Sequence, residues 1–175
     1  KDLLPGTRIG YITAPKPLQQ RLPTLRGSMD LFGPPLMERA VAEFLRRKKF
    51  KTHLRRTVPI YRARRDGLLQ SLAETMPAEV SWTTPQGGFA CWVTLPADER
   101  LHDLYHATLQ RGVAFSPGAV FMAQPSRQRH LRLCFGNQPV EVIRESVAIL
   151  ADLIRERITG RRYPVGHSFE QAPMV

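Results

Sequence analysis

Three cationic residues carry the chemistry that can be read from this chain. Lys1 stands seven positions before Arg8, with a Pro5-Gly6 turn between them. A lysine amine can form a Schiff base with an aldehyde, and an arginine can hold a phosphate through two parallel hydrogen bonds. A lysine joined to a phosphate-binding arginine is what pyridoxal phosphate requires. The third residue is Arg132, in the run Leu131-Arg132-Leu133-Cys134-Phe135-Gly136. Strand alternation points it away from the face that Leu131, Leu133 and Phe135 bury. An arginine among hydrophobes needs a polar or charged partner, because leaving it unpaired inside a sheet is costly. Taken singly, Lys1 reads as a terminal surface lysine and Arg8 as half of a surface ion pair. Only the surrounding Pro-Gly-x-Arg-x-Gly context argues for more.

The elements that must position these residues follow from periodicity. Residues 7–13 alternate as a strand, which Ala14-Pro15-Lys16-Pro17 breaks. An irregular stretch follows, through Pro23, Gly27 and Gly33-Pro34-Pro35. Met37, Ala40, Val41, Phe44 and Leu45 then recur at helical spacing, predicting a helix over about 35–48. A second stripe runs through Leu54, Val58, Tyr61, Leu68, Leu72 and Met76 and stops at Pro77. Pro59 inside it predicts a kink, or a helix that begins near Val58. Strands are expected at 80–82 and 88–94 around a Pro85-Gln86-Gly87-Gly88 turn. A short helix over 101–111 is closed by Gly112, and strands follow at 113–115 and 131–135. Asn137-Gln138-Pro139 opens a last helix with the stripe Ile143, Val147, Leu150 and Ile154. The tail from Gly160 has no periodicity and is expected to fray. Helices first, then a β-α-β-β-α unit over about 78–158, make an α+β or α/β two-layer domain.

Composition narrows the class. A chain of 175 residues, 42% hydrophobic and 23% charged, is long enough for one domain, or one plus a satellite, and too apolar to be disordered. No apolar run approaches the ~18 residues of a membrane helix, and the opening residues lack the apolar stretch of a signal peptide. The formal charge is +11, from 21 arginines against five lysines, Lys1, Lys16, Lys48, Lys49 and Lys51. Arginine suits phosphate and carboxylate recognition, because guanidinium offers a planar fork of donors. The densest cations run from Arg46 to Arg65. A nucleic-acid reader would use such a stripe, but no aromatic interleaving accompanies it, so a solvated helix face or a partner surface is the better reading. Cys91 and Cys134 each sit in an apolar run and are too few for a disulfide scaffold or a thiolate zinc site, which favours a reducing cytoplasm. His53, His102, His106, His130 and His167 show no metal-ligand spacing, so no metal is expected.

Taken together, Lys1, Pro5-Gly6, Arg8 and Gly10 resemble the fold-type I, class I/II aminotransferases. Within them the chain is similar to the branch of 2-aminoadipate-type aminotransferases and MocR (GntR-type) regulators. Asp30-Leu31 with Pro34-Pro35-Leu36 looks like the family's loop before the helix near the dimer interface. Tyr61-Arg62-Ala63-Arg64-Arg65-Asp66 looks like its long interdomain helix, and Pro85-Gln86-Gly87-Gly88-Phe89 and Ser116-Pro117-Gly118 look like small-domain turns. The resemblance covers residues 1 to about 155. It implies an α/β, aspartate aminotransferase-like fold of pyridoxal-phosphate-dependent transferases, of which this stretch would be the C-terminal portion. The end of the large cofactor-binding domain would occupy 1–50, the interdomain helix 51–77, the small α+β domain 78–158 and an irregular tail 159–175.

The same resemblance implies roles. Lys1 would be the catalytic lysine that binds the cofactor, pyridoxal 5′-phosphate, and Arg8 would hold its phosphate. Arg132 would clamp the α-carboxylate of the substrate. The reaction implied is transfer of an amino group between an amino acid and a 2-oxo acid by a ping-pong route, in a cytoplasmic homodimer. The alternative is an aminotransferase-like effector domain of a MocR-type transcription regulator, which would meet DNA only through an upstream winged-helix domain. Because the chain opens on a residue other than Met and in mid-motif, it is expected to be part of a longer polypeptide.

Overall fold

The computed structural model describes residues 3, 5–30, 33–97, 103–124 and 129–160. Two units divide the chain, Lys1–Pro59 and Ile60–Val175.

The first unit is helical among its described residues. A single 3₁₀ turn at Pro5–Thr7 precedes Arg8, which takes a left-handed backbone with φ 54°. Residues 8–15 then run without regular structure, so the strand expected over 7–13 is not formed. The reason is the lack of a partner: a strand is stable only in a sheet, and no other strand is described in this unit. Helix α1 spans Lys16–Asp30 and contains Pro23, where an irregular stretch was expected. Helix α2 spans Pro35–Arg46, started by Pro35, whose fixed φ suits the first helical turn. Arg46 and Arg47 both donate to Glu43 at 2.7 Å, which holds that carboxyl below the usual carboxylate range. No described residue before Gly67 is buried. Tyr11, Ile12, Met29 and Leu36 are each more than 70% exposed, so the described residues of this unit form no core among themselves.

Helix α3, Phe50–Thr75, begins in the first unit and ends in the second. It starts eight residues before Val58 and carries Pro59 in its interior, so Pro59 does not start the helix.

The second unit is a two-layer α/β arrangement. Its sheet is antiparallel with the order β1-β2-β4-β3, from β1 Ser81–Trp82, β2 Ala90–Leu95, β3 Ser116–Pro117 and β4 Arg129–Cys134. Helix α4 is Leu104–Gln110 and helix α5 is Val140–Thr159. Strand β3 lies at Ser116–Pro117 rather than 113–115, while Val113 and Phe115 are buried as anchors just before it. Period-two alternation buries Cys91, Val93 and Leu95 of β2 and Leu131 of β4, with Phe135 just beyond. Against them pack Leu68 and Leu72 of α3, Leu104 of α4, and Ile143, Val147, Leu150 and Ile154 of α5. Burial of this kind contributes roughly 1.5–3 kcal/mol per large side chain. Arg64 fixes α3 to the end of β4 by donating to the Gly136 carbonyl at 2.6 Å, and its guanidinium also lies over the Tyr61 ring. Gly160 closes α5 with φ 68°, the left-handed conformation glycine adopts without strain. The frayed tail expected beyond it lies outside the described residues. No described helix is long and apolar enough to cross a membrane.

Candidate active site

The outer face of the sheet in the second unit collects polar and aromatic side chains. The register sets Trp92 opposite Arg132, Thr94 opposite His130 and Ala90 opposite Cys134 across β2 and β4, and Ser116 of β3 opposite Arg132 on the other side. Directly opposed residues share a face, so these groups stand together, turned away from the core that Leu131 and Val93 fill. Arg132 is half-buried there. Among the described residues it makes no ion pair and no side-chain hydrogen bond. Its guanidinium carbon lies 5.5 Å from the centre of the Phe121 ring.

The neighbours form a braced aromatic group. Phe121 and Trp92 meet edge to face at 6.1 Å, and Trp92 stacks on His130 at 5.3 Å with 27° between the ring planes. His130 Nδ1 and Thr94 Oγ1 are 3.2 Å apart. The close approach of Gly118 brings Phe121 into this group. Gly118 is buried on the 3₁₀ turn Gly118–Phe121, and a β-carbon on it would come within 2.4 Å of His130 Cβ. Only glycine lets this turn press against β4, and Phe121 ends the turn three residues later. Sequence reading missed Phe121, Trp92 and His130. The turn Ser116-Pro117-Gly118 with a phenylalanine three positions on was the available signal.

The sequence-derived candidates fall in different places. Arg132 lies on β4 in the second unit, and Arg8 lies in the first unit, exposed, just after the 3₁₀ turn. Lys1 lies outside the described residues. Arg8 has no ion pair among the described residues, and the flanking Gly6 and Gly10 have open space around their α-carbons. An exposed guanidinium keeps its planar fork of donors open to an anion such as a phosphate. On the sheet, a half-buried guanidinium without an acidic partner suits a carboxylate.

Residues 3–150 match the family model for aminotransferase class I and II. The chain belongs to this family. It is 33% identical over 158 residues to aromatic-amino-acid aminotransferase 1 of Thermococcus litoralis, covering 90% of this chain and 38% of that protein. The α-aminoadipate aminotransferase LysN of Thermus thermophilus, solved with N-(5′-phosphopyridoxyl)-L-leucine, superposes with a TM-score of 0.80 at 30% identity, over 90% of this chain and 40% of LysN. HTH-type transcriptional regulator TauR of Rhodobacter capsulatus is 29% identical over 89% of this chain and 32% of TauR. The chain therefore has the aspartate aminotransferase-like fold of pyridoxal-phosphate-dependent enzymes and spans about two fifths of the length of these aminotransferases.

Proposed function

We propose that this chain belongs to a pyridoxal-phosphate-dependent aminotransferase that moves an amino group between an amino acid and a 2-oxo acid by a ping-pong route. The observation that carries the reading is Arg132: half-buried on the outer sheet face, with no acidic partner among the described residues. A planar fork of donors in that setting binds a carboxylate at two points and fixes the amino acid's orientation. Arg8 would hold the cofactor phosphate, and Lys1 would anchor the cofactor covalently. Pyridoxal phosphate, when bound, supplies a conjugated ring that takes up the electron pair released as the substrate's Cα–H bond breaks. Lys1 Nζ would take the proton from that Cα, while Arg132 holds the carboxylate so that the correct bond is presented.

In this reading residues 1–50 close the large domain, 51–77 form the interdomain helix, 78–158 form the small domain and 159–175 a tail. A cytoplasmic homodimer is the assembly it implies.

The experiment uses the full-length protein. Arg132→Lys keeps charge but loses the two-point fit, so amino-acid turnover should fall at least about tenfold while cofactor retention holds. Arg8→Ala should instead weaken retention of pyridoxal phosphate, and Lys1→Ala should abolish the adduct that borohydride fixes. Equal cofactor loss from the Arg132 and Arg8 variants would remove the basis for separating their roles. The similarity to TauR supports a second reading, an effector domain of a MocR-type regulator that meets DNA through an upstream domain. That protein would bind amino acid and cofactor without steady turnover.

A further inference from the structure

We infer that Phe121 is a positioning residue that holds the Arg132 guanidinium ready for a carboxylate; the inference rests on the carboxylate role proposed for Arg132. The guanidinium carbon lies 5.5 Å from the Phe121 ring centre, the range in which a cation is attracted to an aromatic face. An arginine with no hydrogen-bonding partner among the described residues would otherwise sample many rotamers, and each binding event would have to order it again. Phe121 does not fill the core, since it is 54% exposed. Its ring is instead braced by Trp92 at 6.1 Å, and Trp92 by His130 at 5.3 Å. A phenylalanine outside this unit's core, in edge contact with Trp92, is explained by the cation it faces.

The ring attracts the cation without consuming its donors. A carboxylate salt bridge within the protein would occupy the same N–H groups that the substrate needs, whereas a ring leaves them available.

The test compares L-leucine with leucinamide, which lacks the carboxylate, by spectral titration of the full-length protein loaded with pyridoxal phosphate. Wild type should bind leucine more tightly, and Arg132→Lys should lose that preference. Phe121→Leu should weaken leucine about two- to fivefold, the range for one partly exposed cation–π contact, and leave leucinamide unchanged. Phe121→Tyr, which restores a ring, should stay within about twofold of wild type. Leucine affinity unchanged in Phe121→Leu, leucine and leucinamide weakened alike, or Phe121→Tyr as impaired as Phe121→Leu would each overturn the inference while leaving Arg132 in its role. Preference retained in Arg132→Lys would overturn the role of Arg132 and the inference with it.

Discussion

Val140, the first residue of α5, occupies the space that a side chain on Gly67 of α3 would need: a β-carbon built on Gly67 would stand 2.6 Å from Val140 Cγ1. Gly67 is buried in mid-helix, where alanine would ordinarily be preferred by about 1 kcal/mol. The glycine is explained by the contact between the two helices.

A double-mutant cycle should expose that contact. Gly67→Ala should lose stability, because overpacking typically costs about 1–3 kcal/mol against the smaller gain in helix propensity. Val140→Ala removes the clashing methyl and leaves Cβ at 3.6 Å, an ordinary contact. The double variant should therefore be more stable than the sum of the single changes by at least about 0.5 kcal/mol in urea denaturation. Strict additivity would show that α3 and α5 shift apart freely.

Gly118 faces a harder obstacle than Gly67. Its added β-carbon would meet the His130 carbonyl oxygen at 2.7 Å and carbonyl carbon at 2.9 Å, and backbone does not rotate away. Gly118→Ala should cost about 1–3 kcal/mol. Gly87→Ala, with nothing within 4 Å, is the control and should lie within about 0.5 kcal/mol of wild type. Equal midpoints for the two variants would count against the close approach of the turn to β4.

The two cysteines should separate by reactivity. Cys134 is exposed on the outer sheet face, whereas Cys91 is fully buried and burial pushes its thiol up from the ordinary value. A thiol reagent should modify Cys134 in the folded protein and Cys91 only on unfolding, as mass spectrometry would read directly. The sign of the pH effect follows. The unfolded Cys91 loses its proton first, so its contribution is complete below the ordinary thiol value and declines as pH rises through it toward the raised folded value. Cys91→Ala should flatten that alkaline decline. An unchanged slope would place the decline on another group.

The two units should differ in autonomy. Every buried residue among those described lies between Gly67 and Ile154, so residues 60–160 expressed alone should melt cooperatively. Residues 1–59 alone should show no cooperative melt by calorimetry. A sharp transition from the shorter piece would mean that its helices pack on one another.

Much of the second unit was legible because its signals are local. Alternation in Leu131-Arg132-Leu133 settles which way Arg132 faces, and the stripe Ile143, Val147, Leu150 and Ile154 marks the buried side of α5. The first unit was less so. Pro17, Pro23 and Gly27 read as breakers, yet α1 runs through all three. The alternation in 7–13 satisfied the strand pattern, but a pattern cannot supply the neighbouring strand. Phe121 was missed for a third reason: its place over Arg132 depends on a glycine touching a strand twelve residues later, which the Ser116-Pro117-Gly118 turn hints at but no periodicity encodes.

The outermost strands of the sheet, β1 and β3, are two residues each, and β3 ends in Pro117, which has no N–H to offer. Long bare edges invite strands from other chains to add on, and such growth underlies many aggregates. Here β1 and β3 each pair with only two residues of the neighbouring central strand, Val93 and Thr94 of β2 and Leu131 and Arg132 of β4. The outer edges of this sheet are therefore stepped rather than one long straight template for another chain.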